Sequence, residues 1–204
     1  MEKFGLVVIG AHIGVHILSD IEKYKNNKIL LIEPVPHNLK ALKKNIPNYK
    51  TINIEPITIG KSNETRNFYF VKHDSIHKLG KHWASGIGSF DKQHILNHKT
   101  KRFEVKDEDI ESVEIKSLTF NDLMNKYSIS EVDKLQIDVE GAEYEILNSI
   151  DYEKININQI LFESKHFDGT FNKGKKLELI KKILVSKNFI LNQIDEENIL
   201  AKKI

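Results

Sequence analysis

Two carboxylates spaced two residues apart, Asp138 and Glu140 in Asp138-Val-Glu-Gly-Ala-Glu143, stand where an apolar run breaks at a glycine. On an extended chain such residues share a face. The pair can therefore converge on one group, either to take a proton from a hydroxyl or to hold a divalent cation jointly. Glu140 also suits the start of a following helix, where an acid is favoured, and Glu143 and Glu145 are better explained by that helix itself. His166, just past the strand-end acid Glu163, is a third candidate for proton transfer, ranked below the two acids. At the other end of the chain Phe4–Ile9 is an apolar run that meets Gly10 and then Gly14, the pattern of a buried strand turning sharply into a helix. Free N–H groups at such a helix start favour a polar or anionic ligand group. Three residues separate the two glycines and none precedes Gly10 by two, so the turn lacks the dinucleotide spacing and suits a nucleoside without a pyrophosphate. Glu33, beside Pro34 at the end of the second apolar run, is placed to accept two hydrogen bonds from a ribose diol; its bland reading is a loop acid ahead of a helix.

The histidines invite a metal reading. His73 with His77 and His94 with His98 have the spacing that sets two ligands on one helical face, but no helix is expected at either place, so no metal site is assigned. They are read as a polar, partly basic acceptor surface. Trp83 could stack on a sugar ring or merely anchor its loop, and Phe167, Gly169 and Phe171 could wall an acceptor pocket, with core packing the default for the aromatics.

These residues need elements to hold them. Ile13, Ile17, Ile21 and Tyr24 recur at helical spacing before the strand Lys28–Ile32, and Leu39, Leu42 and Ile46 mark a helix that leads to a third strand at Thr51–Ile54. The first three strands would be parallel with right-handed crossovers. Val132–Asp138 and Ile157–Glu163 read as further strands, each followed by a helix, and Asn188–Asn192 with Asn198–Ala201 as a closing hairpin. Thr119-Phe-Asn-Asp122 resembles a capping box. Between about 60 and 111 the pattern loosens, with strand signals only at Asn67–Val71; a strand at Ser112–Lys116 follows. The small-residue run Ala84–Ser89 suits a loop that folds over a ligand, so this stretch reads as an irregular insertion or lid within one domain spanning 1–204. In an open α/β sheet, ligands bind beyond the carboxyl ends of the strands, where Gly10, Glu33, Asp138, Glu140 and Glu163 fall.

Lys and Arg total 31 against 29 Asp and Glu, a formal charge of +2 in 204 residues, which gives no general reason to expect nucleic acid or an anionic membrane as partner. The absence of cysteine excludes disulfides and thiolate chemistry. No apolar run is long enough for a bilayer and Met1-Glu-Lys leads directly into a strand, so a soluble, cytoplasmic chain is expected. Oligomeric state is left open.

Gly10-Ala-His-Ile-Gly-Val-His16, Glu33-Pro34, Val113–Asp122 and above all Ile137-Asp-Val-Glu-Gly-Ala-Glu143 resemble the FkbM family of S-adenosylmethionine-dependent methyltransferases, over roughly Val7 to Glu163. The resemblance implies a Rossmann-like, mostly parallel sheet with helices on both faces and an antiparallel final strand. It implies S-adenosylmethionine as donor and O-methylation of a sugar or other small hydroxylated acceptor. Carried over, Gly10, Ala11, His12 and Gly14 would shape the pocket for the donor's methionine part. Glu33 with Pro34 would hold its ribose, and Asp138 and Glu140 would line the reaction end. The chain departs from the family pattern at Val8, usually Asp, at His12, usually Asn, and at Gln136, often Lys. A non-catalytic binding protein on the same frame is the rival reading. A nucleic-acid methyltransferase is a third, disfavoured by the charge balance.

Overall fold

The computed structural model describes residues 1–80, 82–100 and 103–204. Its main sheet holds seven strands: β1 (Glu2–Ile9), β2 (Lys28–Ile32), β3 (Ile52–Glu55), β4 (Ile129–Ile137), β5 (Asn156–Glu163), β6 (Phe189–Gln193) and β7 (Asn198–Lys203). Their spatial order is β3-β2-β1-β4-β5-β7-β6. The pairs from β3 through β5 are parallel, and β7 lies antiparallel between β5 and β6. This is the expected Rossmann-like class, α/β with an antiparallel C-terminal strand.

Period-two alternation splits the central strands between two cores. Val7, Ile9, Leu30, Ile32, Leu135 and Ile137 face one side, packed on the helices Phe120–Lys126, Glu143–Ser149 and Gly174–Ser186. Leu6, Val8, Ile29 and Leu31 face the other, against Ile17, Ile21, Leu42 and Ile46. Winding reverses between β1 and β4. The crevice at that reversal lies beyond Ile9, Ile32 and Ile137, which stand in register, so Gly10, Glu33 and Asp138 emerge side by side.

Two expectations need correction. The helix after the glycine turn begins later than its spacing suggests, as a 3-10 turn at Val15–Ile17 followed by Leu18–Lys23. Gly14 precedes it with φ +81°, and a Cβ there would lie 2.5 Å from Leu42 Cδ1 and 2.8 Å from Ile46 Cγ2. Gly14 thus lets the helix Pro36–Asn45 pack closely. The stretch from 60 to 111 is also more regular than expected. Glu64–Val71 pairs antiparallel with Ile110–Leu118, which pairs parallel with Thr58–Ile59, while Gly88–Ser89 pairs with Tyr69 and Phe70. This four-stranded sheet has its own core of Val71, Ile87, Ile95, Phe103, Val105 and Ile110. Helices form at His73–Leu79 and Lys92–Leu96, where none was expected. Thr119 caps Phe120–Lys126 as its sequence suggests, its Oγ1 accepting the Asp122 N–H at 3.1 Å. Among the described residues no helix is long and apolar enough to cross a membrane.

Candidate active site

Gly10 is a close-approach glycine. Its φ is +89°, and a Cβ would stand 1.8 Å from the Asp138 carbonyl oxygen. The contact exists because the Asp138 N–H donates to Ile9 O at 2.9 Å, while the N–H groups of Gly10 and Ala11 both donate to Ile32 O, at 3.0 and 2.9 Å. The exits of β1, β2 and β4 are therefore cross-bonded. His12 follows with φ +49°. Its main-chain N–H donates to Glu33 Oε2 at 2.8 Å, and Val35 N–H donates to Glu33 Oε1 at 2.9 Å. Each carboxylate oxygen keeps a further lone pair. Burial pushes the Glu33 carboxyl up to about 7, against the pull of these two N–H donors and of the Asn38 side chain.

A cavity of about 670 Å³ opens at this point, within the roughly 300–1,000 Å³ typical of small-molecule sites. Gly10, His12, Glu33, Pro34, Asp138 and Glu140 border it; Ala11, Gly14 and His166 do not. Ala11 is fully buried behind the turn. Asn38 also reaches the wall, and its Oδ1 is buried with no hydrogen-bond partner among the described residues. The second sheet forms the opposite wall through Ile59, Arg66, Phe68 and Phe90. Sequence reasoning missed these, although Arg66 and Phe68 obey the alternation of Glu64–Val71. Over the rim, Ser85 is held twice: His12 Nε2 lies 2.6 Å from its Oγ, and Asn38 Nδ2 donates to its carbonyl oxygen at 2.7 Å. Burial lowers the His12 imidazole to about 4, so this ring is neutral near pH 7.

Asp138 borders the cavity and is exposed to it; desolvation by the surrounding protein, and then Glu140 nearby, pushes its carboxyl up to about 7. Glu140 stands at φ +53° and turns the other way. Its Oε2 lies 3.6 Å from His98 Nε2 and 3.4 Å from His166 Nε2. Burial raises the Glu140 carboxyl, but the His98 contact and the nearby imidazoles outweigh it and hold it below its usual value. Glu143 supports this turn, its carboxylate accepting the N–H of Val139 at 3.0 Å and of Gly141 at 2.9 Å. Glu163 is pushed up to about 9, by burial first and then by neighbouring acids; it lies behind His166, away from the cavity lining. Phe167 packs on Phe162 in the core, and Phe171 packs at a tilt against His166; neither borders the cavity. The Trp83 side chain lies outside the described part of the structure.

A family model described as the methyltransferase FkbM domain matches residues 9–193. The chain belongs to the FkbM methyltransferase family. As a member it uses S-adenosylmethionine as methyl donor, and the cavity fits that group: its wall presents Glu33 and the unpartnered Asn38 Oδ1, acceptors suited to a nucleoside's hydroxyl and amino donors. In fold, the chain is similar to the Methanococcus jannaschii fibrillarin pre-rRNA processing protein at 11% identity and a TM-score of 0.50, covering 99% of this chain and 66% of that one. A precorrin-6y C5,15-methyltransferase from Geobacter metallireducens GS-15 gives 11% identity and a TM-score of 0.48, with 100% and 82% covered. No curated protein matches the chain in sequence.

Val8, where the family usually has Asp, is fully buried among Leu6, Ala11, Ile17 and Leu31. It therefore fills hydrocarbon space and leaves no gap in the cavity wall.

Proposed function

We propose that this FkbM protein methylates a hydroxyl of a small acceptor, a sugar or a comparable hydroxylated metabolite. The observation that carries this reading is that Asp138 and Glu33 border one cavity, so a proton acceptor and a nucleoside-holding carboxylate share a single open cleft. When bound, the donor supplies an electrophilic methyl group on a sulfonium. Glu33 accepts the ribose hydroxyls, and Asn38 Oδ1 accepts a further donor. The turn Gly10–His12 shapes the methionine end, with Pro34 closing the ribose side. Asp138 takes the proton of the acceptor hydroxyl, and Glu140 fixes the floor beside it. Arg66, whose guanidinium lies over the Phe90 ring at 4.4 Å, and Phe68, packed edge-on against Phe90, offer the acceptor a mixed cationic and aromatic surface that suits a sugar ring. Ser85, held by His12 and Asn38, covers the rim and keeps water out, which is the protein's main contribution to a transfer of this kind.

The test is transfer of isotopically labelled methyl to a panel of sugars and other hydroxylated metabolites. Label recovered in a hydrolysis-resistant ether, with turnover reduced about 10²- to 10⁴-fold in Asp138→Asn, is the expected result. Label on nitrogen, or equal turnover in that variant, contradicts it. The rival of a non-catalytic binding protein predicts donor binding with no transfer to any acceptor.

A further inference from the structure

The side chains of His94, His98, Glu140 and His166 come together from three distant parts of the chain. One nitrogen or oxygen from each lies within 4.8 Å of the others. His94 sits in the helix Lys92–Leu96, and His98 follows it. Glu140 comes from the turn after β4, and His166 follows β5. The close approach depends on Gly141, whose Cβ position is 3.2 Å from His94 Cε1.

Neighbouring groups fix the proton positions on His98 and His166. His98 Nδ1 faces the His94 carbonyl oxygen at 3.0 Å and must donate to it, which leaves the Nε2 lone pair pointing towards Glu140 Oε2. His94 Nε2 and Glu140 Oε2 are both buried without a hydrogen-bond partner among the described residues. A ring nitrogen of His94 and the lone-pair-bearing His98 Nε2 and Glu140 Oε2 thus converge. Their separation fits a metal better than a hydrogen bond. Nitrogen and oxygen ligands about 2.0–2.1 Å from a tetrahedral ion are about 3.4 Å from one another, and His98 Nε2 stands 3.6 Å from Glu140 Oε2.

We infer that His94, His98 and Glu140 bind a divalent transition-metal ion of the zinc class. Two imidazoles and one carboxylate select such an ion over magnesium or calcium, which take all-oxygen sites. His166 plays a different part. Its Nδ1 accepts the Phe171 N–H at 3.1 Å, so its Nε2 carries the proton and points at Glu140 Oε2, orienting the ligand carboxylate. Three protein ligands leave a coordination position open, and two of the three residues, His94 and Glu140, also border the cavity. Resting on the O-methylation reading, the ion would coordinate the acceptor's hydroxyl oxygen and make its proton easier for Asp138 to remove.

Tag-free, chelator-treated protein titrated with cobalt(II) tests the site without donor or acceptor. Visible d–d bands saturating at one equivalent, displaced by zinc, are expected. His98→Ala and Glu140→Ala should abolish them, whereas His166→Asn should keep the one-to-one stoichiometry with affinity reduced about 10- to 100-fold. No saturable band in the wild type overturns the site. Unchanged binding in both His98→Ala and Glu140→Ala overturns it as well. Calorimetry with S-adenosylhomocysteine on the same samples separates the two proposals: donor-product binding without cobalt binding removes the metal site alone, and the converse removes the methyl-transfer reading alone.

Discussion

Glu33 Oε2 accepts the main-chain N–H of His12 at 2.8 Å, which ties the exit of β2 to the turn leaving β1. One carboxylate thus serves two purposes. It fixes the backbone of a residue held at φ +49° and presents its remaining lone pairs to the cavity.

The raised Glu33 carboxyl gives donor-product binding a pH dependence. Ribose hydroxyls bind best to the ionised form, so affinity for S-adenosylhomocysteine should rise as pH passes upward through about 7. At one unit below that value about one tenth of the carboxyl is ionised, and binding should be about tenfold weaker than at high pH. Asp138 and His12 are the titratable neighbours; Asp138 pushes Glu33 up, and His12 stays neutral down to about 4. Glu33→Gln should flatten the profile, as calorimetry across pH 6 to 8 would reveal. A profile retained in that variant would assign the dependence elsewhere.

Stability of the ligand-free protein should move the opposite way. A carboxyl whose folded value lies near 7 holds its proton in the native state where the unfolded chain, near 4.5, has lost it. Stability therefore falls as pH rises from about 4.5 to 7 and levels off above, by at most about 3 kcal/mol for this group. Glu143, also pushed to about 7 by burial, acts in the same sense. Urea midpoints measured at pH 5.5 and 8 check the sign.

Gly10→Ala should be severe. The new methyl group meets a carbonyl oxygen 1.8 Å away at φ +89°, so a loss of about 3 kcal/mol or more is expected. Gly80→Ala is the control: its φ is +64°, yet nothing lies within 4 Å of the new atom, and about 1 kcal/mol should cover the cost. Equal denaturation midpoints for the two variants would refute the close-approach account.

The main sheet was legible in the sequence because Phe4–Ile9 and Lys28–Ile32 are continuous apolar runs, and such runs are buried on both faces of a parallel sheet. The second sheet was not, because Glu64–Val71 finds its partner in Ile110–Leu118, far along the chain, and the residues between carry no uniform period. The histidine cluster was half visible. The His94–His98 spacing could be read, but the short helix that Asp91 caps, its carboxylate accepting the Gln93 N–H at 2.9 Å, was not expected. Nothing local pointed to Glu140 and His166 as its neighbours, since Glu140 reaches them only through a left-handed backbone turn. Of the strand-end acids, Glu33, Asp138 and Glu140 border the cavity, while Glu163 is drawn behind the cluster.

His12→Ala should loosen the cover over the cavity. It removes the contact to Ser85 Oγ while leaving the main-chain bond to Glu33 intact. Global stability should change by no more than about 1 kcal/mol. Dissociation of S-adenosylhomocysteine should become several-fold faster in stopped-flow displacement. An unchanged rate would show that the Ser85 contact does not control exit.

The central claim is that the cavity beside Glu33 holds the donor nucleoside, and calorimetric titration with S-adenosylhomocysteine tests it most directly. Saturable one-to-one binding, weakened about 10- to 100-fold in Glu33→Ala with the fold retained by circular dichroism, is the predicted result. Absence of heat at millimolar ligand, or undiminished affinity in Glu33→Ala, would contradict it.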